Sequence, residues 1–286
     1  MASNNLIMLA VAPNGASRSR QDHPALPITV PELALAAREC MEAGACMIHL
    51  HVRDSDGNHT LSPDLYLQAT DAIRDEVGDG LVIQITSESA GIFEPEQQMA
   101  AVSAVMPEAV SLSLKEFCGT SEEERPASEF FHHLYESGVY IQYILFDLLD
   151  IMRFKDMWMR GMIPGHCHSI LLVLGRYSIS RKSHPSDINP LTQALPDSSY
   201  WSVCAFGPNE HACMTRAAEM GGHCRVGFEN NFHLPDGEVA SSNAQLIEQT
   251  AATIALSDRH QRRLATAEEA RRLLRATLPE PAVSNA

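Results

Sequence analysis

Short apolar segments recur along the chain at intervals of roughly 25 to 40 residues, and this spacing restricts the fold more than any other feature. The stretches between them have the periodicity of helices, and such alternation is typical of parallel β/α units. Eight units in 286 residues favour a closed (β/α)8 TIM barrel, an α/β fold, over an open doubly wound sheet. The eight segments are 6–14, 46–54, 81–88, 109–117, 139–147, 169–176, 200–207 and 223–230.

The same pattern predicts the extent of the domain. We expect a single barrel domain with a C-terminal helix over residues 1–278, followed by a frayed tail at 279–286. The spacing of Thr266 and Glu269 predicts a capping box at the start of that last helix. Proline near the start and glycine at the end indicate an earlier helix over 31–44.

Composition and charge exclude several classes of protein. The net charge of -15 and the low isoelectric point disfavour binding to the phosphate backbone of nucleic acids. No apolar run approaches the length of a membrane span, and the N-terminus lacks the features of a signal peptide. Seven cysteines without a Cys-x-x-Cys pair indicate a reducing compartment, so we expect a cytoplasmic protein that contacts neither membrane nor nucleic acid.

Three of the predicted strands carry polar side chains on one face and apolar side chains on the other. Since alternate residues of a strand face opposite sides, the apolar face should meet the helices and the polar face should line the barrel. Polar side chains at the C-terminal ends of strands are how a barrel forms an active site. The inward polar residues predicted in this way are His49, His51, Arg53, Ser111, Ser113, Lys115, Arg225 and Glu229.

The His49-x-His51 pair places two imidazoles side by side, where their neutral nitrogens can bind one ion. Glu229, in the eighth segment, is the candidate for a third ligand because alternate strands contribute to the same layer of a barrel interior. Three protein ligands and one open position are the usual catalytic zinc arrangement. The alternative is that the two histidines are hydrogen-bonded residues of a polar core.

Arg225 should point inward beside this site, where a guanidinium suits a carboxylate or enolate substrate. The alternative is an ordinary ion pair with Glu229 or an aspartate. Polar residues after the first and third strands are candidates for substrate binding, although such residues are common in loops; they are Asn14, Ser17, Thr86 and Ser87.

Two further histidine clusters are expected to have no catalytic role. His166-Cys167-His168 precedes the sixth strand and therefore falls at the N-terminal face of the barrel, where residues usually serve stability. His132 and His133 fall within a predicted helix, on a face expected to be solvated.

Four segments of the chain resemble the β-keto acid cleavage enzymes, the family named for 3-keto-5-aminohexanoate cleavage enzyme. The segments with the two metal-binding motifs are the most specific, and with the barrel plan the likeness covers nearly the whole chain. These segments are PITVPE at 27–32, GACMIHLHVRDSDG at 44–57, GGHCRVGFENN at 221–231 and SNAQL at 242–246.

The resemblance implies a zinc-dependent (or similar divalent metal) TIM barrel that is usually a homotetramer. It implies retro-Claisen cleavage of a small-molecule β-keto acid with acetyl-CoA, a CoA thioester, as cosubstrate, giving acetoacetate and a new acyl-CoA. The positions that match the family's metal ligands are His49, His51 and Glu229, and Arg225 matches a residue beside the reacting centre.

The chain also departs from the family pattern. Asn230 stands where the family has an aspartate placed as a base, and an amide cannot accept that proton. Carboxylates that the family carries near Ile144 and Ser17 are missing. Ser113-Leu114-Lys115 replaces an Asn-x-Gly pattern, and Arg176-Tyr177-Ser178 replaces a Gly-Gly pattern.

Two functional interpretations follow from the departures. In the first, the chain is a divergent cleavage enzyme, with Asn230 and Arg225 at the reacting centre, Ser113 among the substrate-binding residues, and Glu88, Glu116 or Lys115 transferring the proton. In the alternative, it is a metal-dependent barrel lyase or hydrolase, or a non-catalytic small-molecule binder, that has lost the condensation step. The position of Lys115 discriminates between the two interpretations. As an inward residue within about 6 Å of the metal it could transfer the proton, but a salt bridge elsewhere would prevent this.

Overall fold

Eight parallel strands form a closed barrel in the computed structural model, which describes residues 5–177, 182–257 and 262–280. Each strand pairs with the one before it in the chain, and the eighth pairs with the first. The predicted TIM barrel is therefore confirmed. The strands are β1 (Leu9–Val11), β2 (Met47–Leu50), β3 (Val82–Thr86), β4 (Ala109–Ser113), β5 (Tyr140–Leu145), β6 (Ser169–Leu174), β7 (Tyr200–Ala205) and β8 (His223–Val226).

Helices connect successive strands and cover the outside of the barrel. They are α1 (Val30–Glu42), α2 (Pro63–Val77), α3 (Pro95–Val105), α4 (Leu114–Phe117), α5 (Glu124–Glu136), α6 (Leu148–Met159), α7 (Ile188–Ala194), α8 (Glu210–Glu219), α9 (Asn243–Ser257) and α10 (Ala267–Leu274). Short 3-10 helices lie at Pro185–Asp187 and Arg275–Thr277. Outside the barrel, Leu6–Ile7 pairs with Arg263–Leu264, and Val52–Arg53 pairs with His59–Thr60.

The starts of two helices follow from their sequences. The predicted capping box of α10 is confirmed, since the Thr266 hydroxyl accepts from the backbone N–H of Glu269 and the Glu269 carboxylate accepts from that of Thr266. At α1, Thr29 and Glu32 form the same arrangement, and Pro31 lies in the first turn, where its missing N–H costs nothing.

Alternate residues of the strands divide the core as predicted. Outward side chains such as Ile48, Leu50 and Val110 pack in the large apolar core beneath the helices. Inside the barrel, a second apolar cluster at the N-terminal end joins Met47 to Leu274 of α10. This cluster fills part of the bottom of the barrel, where a few buried polar residues such as Ser169 and His223 are hydrogen-bonded.

The strand predicted over 109–117 is too long, and the prediction for its second half is wrong. β4 ends at Ser113, and the next four residues form the single turn α4. Leu114 and Phe117 are both buried, and their spacing of three residues places them on one face of a helical turn. Lys115 therefore does not continue the inward series of β4.

Two other predictions concern the ends of the chain and membranes. Residues 281–286 of the predicted tail lie outside the described residues, and the boundary at 278 stays a prediction. None of the described helices is both long enough and apolar enough to span a bilayer.

A glycine ends β8 and directs the following residues into the barrel mouth. Gly227 has φ +143°, and a Cβ atom there would lie 2.3 Å from the carbonyl oxygen of Ala12, the residue that follows the neighbouring strand β1. That same oxygen accepts a hydrogen bond from the backbone N–H of Glu229 at 3.1 Å. The close approach of the two backbones, which glycine permits, thus fixes the position of Glu229.

We expect Gly227→Ala to lower the free energy of unfolding by at least about 2 kcal/mol more than Gly221→Ala, measured by denaturant unfolding. Both glycines have positive φ, but a Cβ at Gly221 would have no atom within 4 Å, so the difference isolates the contact with Ala12. Equal destabilisation by the two substitutions would contradict this explanation.

Candidate metal centre and active site

Two histidines and one glutamate converge at the C-terminal end of the barrel. His49 lies in β2, His51 directly follows that strand, and Glu229 follows β8. All three side chains are buried, and their potential ligand atoms lie within 4.8 Å of one another. The Nε2 atoms of the histidines are 3.1 Å apart, and Glu229 Oε2 lies 3.6 Å from His49 Nε2 and 3.5 Å from His51 Nε2.

This triangle has the dimensions of three ligands around one small divalent ion. Ligands at about 2.0 to 2.1 Å from a tetrahedral zinc ion lie about 3.3 to 3.4 Å from one another. The three observed distances bracket that value. Oε2 of Glu229 is also too far from either imidazole nitrogen for an ordinary hydrogen bond. The residues therefore fit a metal with a fourth position open.

A chain of amides orients the first histidine. His49 Nδ1 lies 2.9 Å from Oε1 of Gln84, while the amide nitrogen of Gln84 donates to Gln142 at 3.4 Å. The Gln84 oxygen therefore faces the ring, so Nδ1 carries the proton and Nε2 keeps its lone pair for a metal. Asn14, a predicted substrate-binding residue, donates through Nδ2 to the backbone carbonyl of His51 at 3.1 Å.

The charges of the site favour the protonation states that metal ligands need. Burial and the nearby Arg225 cation lower the pKa of His49 well below its usual value, which keeps the imidazole neutral. Burial would raise the pKa of Glu229, but Arg225 and His49 outweigh it and hold that pKa well below the usual range. A neutral imidazole and an ionised carboxylate are the forms that bind zinc.

Arg225 forms the ion pair with Glu229 and also has donors left for a substrate, the two roles expected from its sequence position. Its Nη2 donates to Glu229 Oε1 at 3.0 Å and to Cys204 Sγ at 3.3 Å. Its Nε and Nη1 are buried and have no hydrogen-bond partner among the described residues. Because a buried guanidinium leaves donors unpaired only at a cost, these two nitrogens are available to a carboxylate or enolate oxygen.

A cavity beside the triangle brings together residues from six strand ends. Glu88, like Arg225, adjoins both the triangle and the cavity: its Oε2 lies 3.8 Å from His51 Nε2, and its Oε1 pairs with Arg176. The lining residues are His49, Thr86, Ser87, Glu88, Ser111, Ser113, Glu116, Ile144, Phe146, Val173, Arg176, Arg225 and Glu229.

Most of the predicted substrate-binding residues lie in or near this cavity. Thr86, Ser87 and Ser113 line it, and Ser113 Oγ has no partner among the described residues. Asn230, a predicted catalytic residue, is fully buried next to Glu229, and both polar atoms of its side chain are without partners in the described part of the chain. Ser17, in contrast, is exposed and does not line the cavity.

Lys115 lies outside this group. Its ammonium nitrogen is 3.6 Å from the centre of the Tyr177 ring and 4.6 Å from that of Phe146, so it is held by cation–π contacts. It lines a second, outer cavity and not the one beside the histidines. Glu116, which the sequence also left open as a proton-transfer residue, lines the cavity beside the histidines, called the inner cavity below. Its carboxylate accepts hydrogen bonds from Gln98 and from the backbone of Ser89.

The two other histidine clusters lie where they were predicted. His168 immediately precedes β6, is buried, and contacts the carbonyl oxygen of Pro164 through Nε2 at 3.1 Å. His132 and His133 lie in α5, the first half-buried and the second exposed. None of these residues contributes to the metal cluster found among the described residues.

Sequence reasoning missed three contributors to the site. Gln84 had a usable signal, because it shares the inward parity of Thr86 in β3. Arg176 was noted as a departure from a family pattern, but nothing local predicted its partner Glu88. Glu210, at the start of α8, accepts from Asn231 at 3.3 Å, and burial raises its pKa well above the usual value. No sequence pattern indicated that it would be buried here.

Comparison with known proteins gives a consistent result. The family model described as "beta-keto acid cleavage enzyme" matches residues 7–275. The 3-keto-5-aminohexanoate cleavage enzyme of Fusobacterium nucleatum is 30% identical over 94% of this chain and 97% of its own length. The 3-oxoadipate:acetyl-CoA acetyltransferase of Cupriavidus necator is 28% identical over 93% and 94%. Among solved structures, apo ObcA superposes with a TM-score of 0.69 at 17% identity, covering 88% of this chain and 65% of that one, which supports the fold.

Proposed function

The chain belongs to the beta-keto acid cleavage enzyme family, and from this premise we propose that it transfers acyl groups between a β-keto acid and acetyl-CoA with a bound divalent metal. In this reaction the bond between the keto carbon and the methylene of R–CO–CH2–COO⁻ breaks. The methylene takes the acetyl group and becomes acetoacetate, while the CoA sulfur takes R–CO and becomes the new acyl-CoA. Atoms and charge balance without any further reactant.

One observation supports the proposal most directly: the buried triangle of His49, His51 and Glu229 lies beside an arginine with two unpartnered donors. We propose zinc as the ion because the ligands are two nitrogens and one carboxylate in a tetrahedral spacing. When bound, such an ion acidifies the carbon between the keto and carboxylate groups of a chelating substrate.

The chain's own residues supply binding and proton transfer. Arg225 can donate from Nε and Nη1 to the substrate carboxylate or to the enolate oxygen that forms when the methylene proton leaves. Burial of the site excludes water, which strengthens these charged contacts and protects the thioester from hydrolysis.

We assign proton transfer to Glu88, among the three alternatives that the sequence left open. Asn230 cannot accept a proton, and Lys115 is held between aromatic rings in the outer cavity. Glu116 accepts from Gln98 and Ser89 through Oε2 and has no contact with the metal triangle among the described residues. The Glu88 carboxylate lies 3.8 Å from the ligand His51 and borders the cavity where the substrate methylene would lie.

The remaining proposals concern assembly and location. We propose a homotetramer, as in the resembling family, and exposed apolar side chains on α6 support burial against another copy; they include Leu149, Met152 and Met159. We propose a cytoplasmic location, which is consistent with seven cysteines that form no disulfide.

We expect the purified protein to contain about one divalent metal ion per chain, and the double substitution His49→Ala, His51→Ala to remove it, because one carboxylate cannot hold the ion. Elemental analysis measures the occupancy. His133→Ala is the matched control, since this histidine is exposed on α5 and should leave the metal content unchanged. Full occupancy in the double variant would refute the assigned site.

The activity itself is tested with a panel of β-keto acids and acetyl-CoA, with mass detection of acetoacetate and acyl-CoA products. We expect turnover by the native protein and a higher rate for Asn230→Asp, because a carboxylate at this buried position can accept a proton. Metal-loaded protein without turnover in either form would favour the alternative, a metal-dependent lyase or hydrolase or a non-catalytic binder.

Glu88→Gln should lower kcat by about 100-fold or more while metal content stays unchanged, because the amide cannot take the methylene proton. Glu116→Gln is the comparison, since it changes a glutamate of the same cavity whose hydrogen bonds a glutamine oxygen can still accept. Steady-state kinetics on the best substrate of the panel give both values. The assignment fails if Glu116→Gln costs as much as Glu88→Gln.

A further inference from the structure

The mouth of the barrel is divided into a polar side and an apolar side. The metal triangle, Arg225 and Gln84 come from β2, β3 and β8. Towards the C-terminal ends of β5, β6 and β7, inward positions form a separate apolar cluster, which is not part of the large core under the helices. The members of this cluster are Leu171, Val173 and Cys204, with Ile144, Phe146 and Phe206 packed against them.

Part of this apolar cluster lines the cavity beside the metal triangle. Ile144, Phe146 and Val173 share that cavity with His49 and Arg225. A substrate with its keto and carboxylate groups at the polar side must therefore place the rest of its structure against the apolar side. The substituent on the keto carbon is the part of a β-keto acid that remains.

Most charged groups of the inner cavity have partners within the described part of the chain: Glu88 pairs with Arg176, and Glu116 accepts from Gln98. Arg225 binds Glu229, and its two unpartnered nitrogens are assigned to the keto and carboxylate end of the substrate.

Lys115 is the cation beside Phe146, at 4.6 Å from the ring centre, but it lines the outer cavity and is engaged by the rings of Phe146 and Tyr177. Inside the inner cavity, the surface of Ile144, Phe146 and Val173 itself offers no charge. Moving a charge from water to such a surface is costly without a partner, whereas an apolar group gains from the transfer.

We propose that the β-keto acid used by this enzyme carries an uncharged, apolar substituent on its keto carbon, seated against Ile144, Phe146 and Val173. The proposal rests on the proposed acyl-transfer function and names the substrate class of the same site. It separates this chain from the two relatives described above, whose names specify an amino and a second carboxylate substituent.

The inner cavity is small, about 20 Å³, so a substituent of several carbons has to extend into the outer cavity of about 600 Å³. The two cavities share three lining residues, Phe146, Val173 and Arg176. The outer one is bordered by leucines and also by charged residues; they are Leu148, Leu149, Leu174, Leu191, Lys115, Asp147 and Asp187. An aliphatic chain that passes the shared residues meets the leucines, and the charged residues of the same cavity make a comparison with charged substrates a direct test of the proposal.

The test compares three substrates: 3-oxooctanoate with a five-carbon alkyl substituent, 3-oxoadipate with a carboxylate, and 3-oxo-5-aminohexanoate with an ammonium group. We expect the metal-loaded native protein to have kcat/KM at least about tenfold higher for 3-oxooctanoate than for either charged acid. A higher kcat/KM for a charged acid, with acetoacetate formed, would overturn the proposal and leave the acyl-transfer function standing.

Variants at Ile144 sharpen the comparison. Ile144→Glu should lower kcat/KM for 3-oxooctanoate by at least about tenfold and shift the preference towards the ammonium substrate, while Ile144→Val should keep the native order of substrates. Leu256→Glu introduces the same charge at an exposed position of α9, away from the cavity and from the proposed interface on α6, and should change neither value. An unchanged preference in folded, metal-loaded Ile144→Glu would contradict the assigned position of the substituent.

Equilibrium binding separates failure of this inference from failure of the function. Calorimetry with the same three acids, without acetyl-CoA, should show at least about tenfold tighter binding of 3-oxooctanoate. If no acid yields acetoacetate, the acyl-transfer proposal fails, and the binding order then decides whether the apolar subsite exists. Equal or tighter binding of the charged acids would overturn it.

Discussion

A buried carboxylate, that of Glu229, is the group on which the arrangement of the whole site depends. An ionised carboxylate away from water is stable only beside compensating positive charge and donors; Arg225 supplies both to Oε1, and Oε2 faces the two histidine nitrogens where a metal would bind. The backbone is shaped to bring it there: a Cβ at Gly15 would lie 2.6 Å from Glu229 Cγ, and Gly227 allows the turn that ends β8. The glycines and the charges are thus parts of one constraint, since a displaced Glu229 would leave Arg225 uncompensated.

The barrel could be predicted because its periodicities are local. Apolar segments, helical stretches between them, and the parity that places His49 and His51 opposite Ile48 and Leu50 are all properties of short windows. The candidate metal triangle could also be predicted, although Glu229 is far from His49 and His51 in sequence, because alternate strands contribute to the same interior layer of a barrel. Cap residues such as Thr266 were also readable, since a capping box spans four positions.

The rest of the site depends on contacts that no local pattern records. The end of β4 was misplaced because Leu114 continues the alternation of a strand but also starts a helical turn with Phe117. That one difference moves Lys115 from the inner cavity to the aromatic rings of Tyr177 and Phe146. Glu88 pairs with Arg176, which follows β6 and lies 88 residues further along the chain. Only the three-dimensional structure shows a pairing over such a distance.

The departures from the family pattern become consistent when they are considered together. An enzyme that handles a charged substituent needs a partner charge in the cavity, and the carboxylate that the resembling family carries near Ile144 is missing from this chain. Arg176, which stands where the family has a Gly-Gly pattern, pairs with Glu88 at the cavity wall. Both departures therefore lie in the one cavity beside the metal triangle. On the proposals made above, the chain keeps the acyl-transfer chemistry, uses Glu88 as proton acceptor because Asn230 cannot serve, and takes a substrate with an apolar substituent.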